Sequence, residues 1–160
     1  MSSSNRTSLA VLCLMIGHFA ESAWAVDNGA HRILYGTSSG ECIGYCTKEL
    51  EIAGRHVTFI ATGLKAGRSI PPVRQSLELT TDELRALEHL KKNSSIASLP
   101  ERVGCPDCND GGAEWIELPL GARQVKRVTF EKGNPPSELR DLSLWLGKLQ
   151  ERFVVPATAR

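Results

Sequence analysis

Residues 45–62 read Tyr-Cys-Thr-Lys-Glu-Leu-Glu-Ile-Ala-Gly-Arg-His-Val-Thr-Phe-Ile-Ala-Thr. Leu50 and Ile52 alternate with polar neighbours, which is the period of a half-buried strand over 45–53. Gly54-Arg55 predicts a tight turn, and the β-branched and aromatic residues of 56–62 predict the returning strand. The stretch therefore predicts a β-hairpin with one apolar face.

A helix is predicted after this hairpin. Thr80 precedes Glu83 by three residues, the spacing at which a hydroxyl and a carboxylate satisfy the free amides of a helix start. Leucines at helical spacing continue the helix through about Lys92. Between hairpin and helix, the glycines and prolines of residues 63–72 predict a loop, and residues 75–79 predict a short strand.

The same order recurs in the second half of the chain. Residues 114–120 and 124–131 predict a second hairpin, because apolar side chains fall on one face of each segment. Asn134 before two prolines predicts a helix start. A helical stripe of large apolar side chains follows, formed by Leu139, Leu142, Leu146, Leu149 and Phe153.

The repeated order of hairpin and helix predicts an α+β fold. We expect an antiparallel sheet of two hairpins, with two helices packed on one of its faces. Residues 32–35 predict a further short strand that the run from Gly36 to Gly40 ends. The pattern predicts one domain over residues 26–153 and a C-terminal tail over 154–160.

Residues 1–25 have the order of a secretory signal peptide. Arg6 precedes an apolar run from Leu9 to Ala20, and small residues occupy both positions before the expected cleavage after Ala25. The run is shorter than the roughly 20 apolar residues that cross a bilayer. We therefore predict an exported mature chain without a transmembrane segment, in the periplasm or outside the cell.

Composition narrows the classes of partner. The chain has 160 residues, with 19 Lys and Arg against 18 Asp and Glu. This balance gives no basic surface of the kind that binds nucleic acid, so no nucleic-acid partner is expected. A protein or small-molecule partner is the expectation that remains.

The signal peptide would remove Cys13 and leave four cysteines, an even number that suits an oxidising compartment. Cys42 and Cys46 lie in one glycine-containing loop, and Cys105 and Cys108 lie in another. Disulfides are predicted, and the sequence leaves their pairing open. In the simple chain-entropy model a local bridge contributes ~2 kcal/mol and a bridge between the loops ~4 kcal/mol.

Two other chemistries fit the same four cysteines. Together they could hold zinc as the cofactor of a metal site, although the three residues between Cys42 and Cys46 depart from the usual spacing of two. The Cys105-Pro-Asp-Cys108 pair could also undergo thiol redox chemistry. The residues around the second loop form a candidate binding surface, namely Asp107, Asn109, Asp110 and Trp115.

Motifs for enzymatic catalysis are missing from the sequence. There is no Gly-x-Ser-x-Gly elbow and no Gly-x-x-x-x-Gly-Lys-[Ser/Thr] loop. His31, His56 and His89 have no ligand spacing. The sequence indicates no catalytic residue, and a non-enzymatic protein is the expectation.

Three motifs carry a resemblance to a known group of proteins. They are Tyr35-Gly-Thr-Ser38, the turn Cys42-x-Gly-x-Cys46, and the block Gly104-Cys-Pro-Asp-Cys-Asn-Asp-Gly-Gly-Ala-Glu-Trp115. Over about residues 31–153 the chain resembles a family of uncharacterised bacterial exported proteins. The resemblance implies location and fold rather than an activity.

Together these observations predict an exported, disulfide-supported domain, with the periplasm as its favoured location. A binding or envelope-associated module is the first functional hypothesis. A metal-binding or thiol-redox protein that uses the two cysteine loops is the second. A small inhibitor of a secreted enzyme, with the loops as its rigid surface, is the third.

Overall fold

The computed structural model describes residues 32–156. The predicted signal peptide and Cys13 lie outside the described residues, as does His31. Two helices and seven strands make up the described fold: β1 Arg32–Ser38, β2 Gly44–Ala53, β3 His56–Lys65, β4 Arg68–Glu78, α1 Thr81–Asn93, β5 Arg102–Val103, β6 Ala113–Pro119, β7 Val125–Glu131 and α2 Arg140–Gln150. Short 3₁₀ turns lie at Ile96–Ser98, Cys108–Asp110 and Ser137–Leu139.

The strands form one seven-stranded mixed sheet in the order β4-β3-β2-β1-β6-β7-β5. Neighbouring strands are antiparallel except β5 and β7, which are parallel. The α+β class is confirmed, but the prediction of a sheet made of two antiparallel hairpins is wrong. The central strand β1 pairs with β2 on one side and with β6 on the other, so it joins the two hairpins into one sheet.

Strand β1 is longer than predicted because Gly36 does not end it. Gly36 pairs with Trp115 of β6, and the indole ring lies where a Cβ of residue 36 would be. A glycine inside a strand often marks such a close approach. The glycine thus accommodates a large side chain on the neighbouring strand and leaves the ladder intact.

The predicted loop over 63–72 is also wrong. Strand β3 continues to Lys65, a turn at Ala66-Gly67 reverses the chain, and β4 begins at Arg68. Both turn residues have positive φ, 51° and 74°, which is the requirement of a tight hairpin turn. Pro71 and Pro72 are tolerated because they lie at a register shift of this edge strand, between the pairs Ala61–Val73 and Gly63–Ile70, where neither proline has a partner residue on β3.

Helix α1 begins with the predicted capping box. The Glu83 amide donates to the Thr80 hydroxyl at 3.2 Å, and the Thr80 amide donates to the Glu83 carboxylate at 2.7 Å. These two bonds satisfy donors that a helix start would otherwise leave free. They also hold the pKa of Glu83 below its usual value, with Arg152 adding to the effect.

A single apolar core lies between the sheet and the helices. Alternate residues of the strands and apolar residues of both helices belong to the same cluster, so both helices pack on one face. Its largest fully buried side chains include Phe59, Phe130, Leu50, Ile52, Leu87, Ile116, Leu139, Leu142 and Leu146. The first residue of the predicted C-terminal tail contacts strand β4, because the Gln75 side chain donates to the Val154 carbonyl at 2.5 Å. In residues 32–156, neither helix has the length and apolarity needed to cross a membrane.

Candidate functional site

The two cysteine loops meet at one end of the sheet. Thr37 near the end of β1 pairs with Glu114 near the start of β6, so the loops that adjoin these strands leave the sheet side by side. Gly40 lies against the Asp110 backbone, and Gly112 lies against the Ser38 carbonyl; neither contact leaves room for a Cβ. The sequence separates these loops by about sixty residues, and the β1–β6 pairing brings them into contact.

Each loop contains its own disulfide. Cys42 is bonded to Cys46 and Cys105 to Cys108, with Cα–Cα distances of 5.6 and 5.4 Å. Both distances are usual for disulfides. Local bridges of this length contribute ~2 kcal/mol each in the chain-entropy model, so they brace their own loops rather than tie the loops together.

The two bridges differ in exposure. Cys42 and Cys46 are half-buried, whereas Cys105 and Cys108 are exposed. Ile43, enclosed by the first bridge, is 84% exposed. The second bridge is therefore the one that a dissolved thiol reaches more readily.

The polar residues of the second loop form an exposed surface with unusual backbone geometry. Asp107, Asn109 and Asp110 are exposed, and all three have positive φ between 52° and 64°. Asp and Asn tolerate the left-handed region better than most residues. Glu131 supports the loop from below, because its carboxylate accepts from the Cys105 amide at 2.9 Å. This hydrogen bond lowers the pKa of Glu131, and a second bond from Asn134 adds to the effect.

Trp115 does not join this exposed surface. It lies in β6 on the sheet face away from the helices and is 7% exposed. The Arg127 guanidinium lies 4.9 Å from the centre of its ring, a cation–π distance. Its indole N–H has no hydrogen-bond partner among the described residues.

No group of three or more metal-ligating side chains occurs in residues 32–156. The four cysteines are paired within their loops, and a zinc ion would need them as thiolates. His56 is exposed and contacts Glu78 at 2.9 Å, while His89 is exposed on α1 beside Asn93. Both histidines in the described part of the chain are thus surface residues.

A polar pocket adjoins the first disulfide on the helix side of the sheet, and we name it the end pocket. Its volume is about 360 Å³. The ends of β1 and β2, the turn after β7 and one side of α2 form its walls. The residues that line the pocket include Tyr35, Cys46, Lys48, Glu114, Lys132, Gln150 and Glu151.

Glu114 is a buried carboxylate at the base of the end pocket, only 4% exposed. Ser143 donates its hydroxyl hydrogen to one carboxylate oxygen. The Gly133 amide donates to the other at 3.2 Å. Within the described part of the chain Glu114 forms no ion pair. Buried carboxylates usually have a cationic partner. Glu114 departs from this rule, because it has hydrogen bonds but no cationic side chain paired with it in the described structure.

The Tyr35 phenol lines the same pocket and interacts with this carboxylate. Burial raises the pKa of the Tyr35 phenol, and the charge of Glu114, the hydrogen bond to it and the charge of Glu151 raise it further. The phenol therefore keeps its proton to a higher pH than a free tyrosine does. Gly147 of α2 lies close to the hydroxyl, since a Cβ there would be 3.3 Å from it.

Two lysines and a glutamine complete the walls. The Lys132 ammonium donates a hydrogen bond to the Ser39 hydroxyl at 2.9 Å. Thr37 donates to the Gln150 side-chain oxygen at 3.2 Å. The Gln150 amide in turn donates to the Lys48 carbonyl at 3.4 Å. Two lysines and two glutamates thus line this pocket.

Sequence reasoning missed the end pocket, although one signal pointed to it. Glu114 has the same strand phase as Ile116 and Leu118, whose side chains face the helices. A charged residue in the apolar phase of a strand is a candidate buried polar group. The nearby cysteines are the more conspicuous signal in the sequence, and they indicate a site in the loops.

Neither a protein-family model nor a curated protein sequence matches this chain. Function must therefore be argued from the site itself.

Proposed function

We propose that this protein is an exported, disulfide-supported binding domain whose ligand site is the end pocket. The observation that carries the proposal is Glu114, a buried carboxylate without a cationic partner among residues 32–156 that lines a cavity. A cavity of about 360 Å³ is in the range of small-molecule sites. A ligand ammonium would supply the countercharge that the protein does not supply.

The remaining charges of the pocket select a class of ligand. Glu114 and Glu151 favour an ammonium, and Lys48 and Lys132 favour a carboxylate. A simple amine would be repelled by the lysines, and a simple acid by the glutamates. A small zwitterion, of the kind formed by a free amino acid or a dipeptide, complements both pairs of charges.

Calorimetric titration of the oxidised protein tests this proposal with matched ligands. L-Alanine and L-alanyl-L-alanine carry both charges, whereas propionate and ethylamine carry one each. We expect a zwitterion to bind at least about tenfold more tightly than either singly charged analogue, because each lost ion pair to a buried or half-buried group removes ~1.5–3 kcal/mol.

The Glu114→Gln variant should weaken zwitterion binding about tenfold while preserving the shape of the pocket. Glu138→Gln is the matched control, because Glu138 is exposed and lies outside the pocket. Equal binding of propionate and L-alanyl-L-alanine, or unchanged binding in Glu114→Gln, would contradict the proposal.

Export is tested separately from binding. If the full chain is expressed in a bacterium with a periplasm, the mature protein should begin at Val26, because cleavage is expected after Ala25. Intact mass of the periplasmic fraction measures this. A chain that retains residues 1–25 in the cytosolic fraction would overturn the export proposal and leave the ligand proposal standing.

Thiol–disulfide exchange at Cys105–Cys108 is a second candidate function. It is favoured by the exposure of both cysteines and by the cleft of about 570 Å³ beside them, which Lys132 also lines. A substrate thiolate would attack one sulfur, form a mixed disulfide and release the other as a thiolate near the Lys132 ammonium. A second substrate thiol would then release the product disulfide. Two substrate thiols would thereby be oxidised and the cysteine pair reduced.

Graded reduction with glutathione, followed by alkylation and peptide mass analysis, tests this candidate. We expect Cys105 and Cys108 to be alkylated at lower glutathione concentrations than Cys42 and Cys46, because only the former pair is exposed. The Cys42→Ser/Cys46→Ser double variant should keep the exchange activity, and the Cys105→Ser/Cys108→Ser variant should lose it. First reduction of the half-buried pair would contradict this candidate. Four free thiols with bound zinc would support the zinc alternative.

A further inference from the structure

A second groove lies at the other end of the sheet from the cysteine loops, and we name it the α1 groove. The last turn of α1, the turn Ile96–Ser98 and the end of β6 form it. Its volume is about 580 Å³, which is also in the range of small-molecule sites. None of its lining residues belongs to the end pocket.

The floor of the α1 groove is apolar. Ile96 and Leu118 are each 3% exposed and belong to the core, so their outer surfaces form a rigid base. Leu120 is 44% exposed and Ala97 is exposed, so both leave apolar surface open to solvent. An alkyl chain laid on this floor would remove apolar surface from water on both partners.

Cationic side chains stand along one side of this floor. Lys91 is held by Glu88 at 2.8 Å, whereas Lys92 is exposed and has no ion pair among the described residues. Carbonyls at the end of α1 would oppose an anion. Ser94 reduces this effect, because its hydroxyl and amide donate to the Lys91 and Leu90 carbonyls.

We propose that the α1 groove binds an anionic amphiphile, a single alkyl chain with a carboxylate or a similar monoanionic head. The apolar floor would hold the chain, and the Lys92 ammonium would meet the head group. A cationic head group would lack a free carboxylate partner at this side, because Glu88 already pairs with Lys91. The proposal is independent of the end pocket and of its zwitterionic ligand.

Displacement of a fluorescent probe tests this proposal on the oxidised protein. The probe is 8-anilinonaphthalene-1-sulfonate, and the competitors are decanoate, octanoate and decyltrimethylammonium. We expect decanoate to displace the probe with one site per chain, and octanoate to bind roughly fifteenfold more weakly, at about fourfold for each methylene removed. Decyltrimethylammonium should bind more weakly than decanoate.

Two variants and their controls locate the site. Leu120→Asp should weaken decanoate binding about tenfold, since it removes apolar surface and adds a like charge. Val125→Asp is its control, because Val125 is 51% exposed on the same hairpin but outside the groove. Lys92→Gln should weaken binding roughly two- to fivefold, and Lys148→Gln should leave it unchanged, because Lys148 is exposed on α2 and lies outside the groove.

Three results would overturn the proposal. Equal affinity for decanoate and decyltrimethylammonium would remove the role of charge. Equal loss in Leu120→Asp and Val125→Asp would place binding elsewhere on the surface. Co-sedimentation with phosphatidylglycerol vesicles without binding of free decanoate would identify a membrane surface rather than a groove for single chains. Retained thermal unfolding of each variant shows that the fold is intact and keeps the comparison valid.

Discussion

Replacement of Glu114 by alanine should destabilise the domain far more than replacement by glutamine. The alanine variant leaves the Ser143 hydroxyl without its acceptor and removes the carboxylate that interacts with the Tyr35 phenol, and these side chains are 5% and 3% exposed. Each buried donor without a partner costs ~1–3 kcal/mol. The end pocket admits water to part of this space, so we expect a loss of about 2–4 kcal/mol in the free energy of unfolding.

The glutamine variant keeps the shape of the side chain and most of its bonds. Its carbonyl oxygen accepts from one buried hydroxyl, and the other hydroxyl can rotate to accept from the new amide. Gly133 loses an acceptor, but it is exposed and its N–H can bond to water. The variant also removes a buried charge that has no countercharge in the described structure. We therefore expect a change of less than about 1 kcal/mol.

Urea unfolding monitored by circular dichroism measures both values, provided that the slope with denaturant is unchanged. Glu138→Ala is the control, because Glu138 is exposed. A Ser143→Ala variant, combined with Glu114→Gln in a double-mutant cycle, separates the Ser143 bond from the rest of the cluster. Similar losses for the alanine and glutamine variants would refute this reasoning, as would a loss below about 1 kcal/mol for alanine.

Three further predictions concern the core, the first helix and the pH dependence. Leu146→Ala should lower the free energy of unfolding by about 2–5 kcal/mol, because Leu146 is fully buried, whereas Leu144→Ala, at a residue 57% exposed, should change it by under about 0.5 kcal/mol in the same urea assay. Thr80→Ala should cost about 0.5–2 kcal/mol through loss of the capping box, and a loss equal to that of Thr81→Ala would count against the cap. The pKa of Tyr35 is raised above its usual value of 10.0, so above about pH 10 the folded state keeps a proton that the unfolded chain releases. The contribution of Tyr35 to the free energy of unfolding is therefore fully present below about pH 10 and falls as the pH rises further, by up to ~1.4 kcal/mol per pH unit. Tyr35→Phe should remove this part of the alkaline slope, and an unchanged slope would refute the assignment.

Local signals predicted the elements whose causes are local. The alternation of Leu50 and Ile52 gave the first hairpin, and the spacing of Thr80 and Glu83 gave the start of α1. The stripe that begins at Leu139 gave α2 and the residues that it buries. In each case successive side chains of the signal lie within two to four residues of one another along the chain.

Errors arose where a distant strand decides what a residue does. Gly63 indicates a loop by itself, yet in the structure it lets β3 approach the Gly44 carbonyl of β2, with no room for a Cβ. Pro71 and Pro72 also indicate a loop, and only their place at a register shift of an edge strand makes them compatible with a sheet. These environments are set by strand order, which neither residue reveals.

The sequence does not determine the disulfide pairing, for a related reason. Chain entropy favours a bridge between the loops, at ~4 against ~2 kcal/mol. The structure forms the local bridges instead, because the short segment between the two cysteines of each pair places their Cα atoms 5.4–5.6 Å apart. Contact between the loops comes from the backbones of Gly40 and Asp110, so no covalent link is needed to hold them together.

The pairing of β1 with β6 connects the fold to the proposed function. It sets Thr37 opposite Glu114, and the alternation of a strand then places Tyr35 and Glu114 on the helix face. Ser143 on α2 completes the cluster from above. A carboxylate in this position lowers stability unless something compensates its charge, and a hydrophobic residue would pack there without this cost. The most direct physical reason to keep Glu114 there is a cationic group that comes from outside the chain.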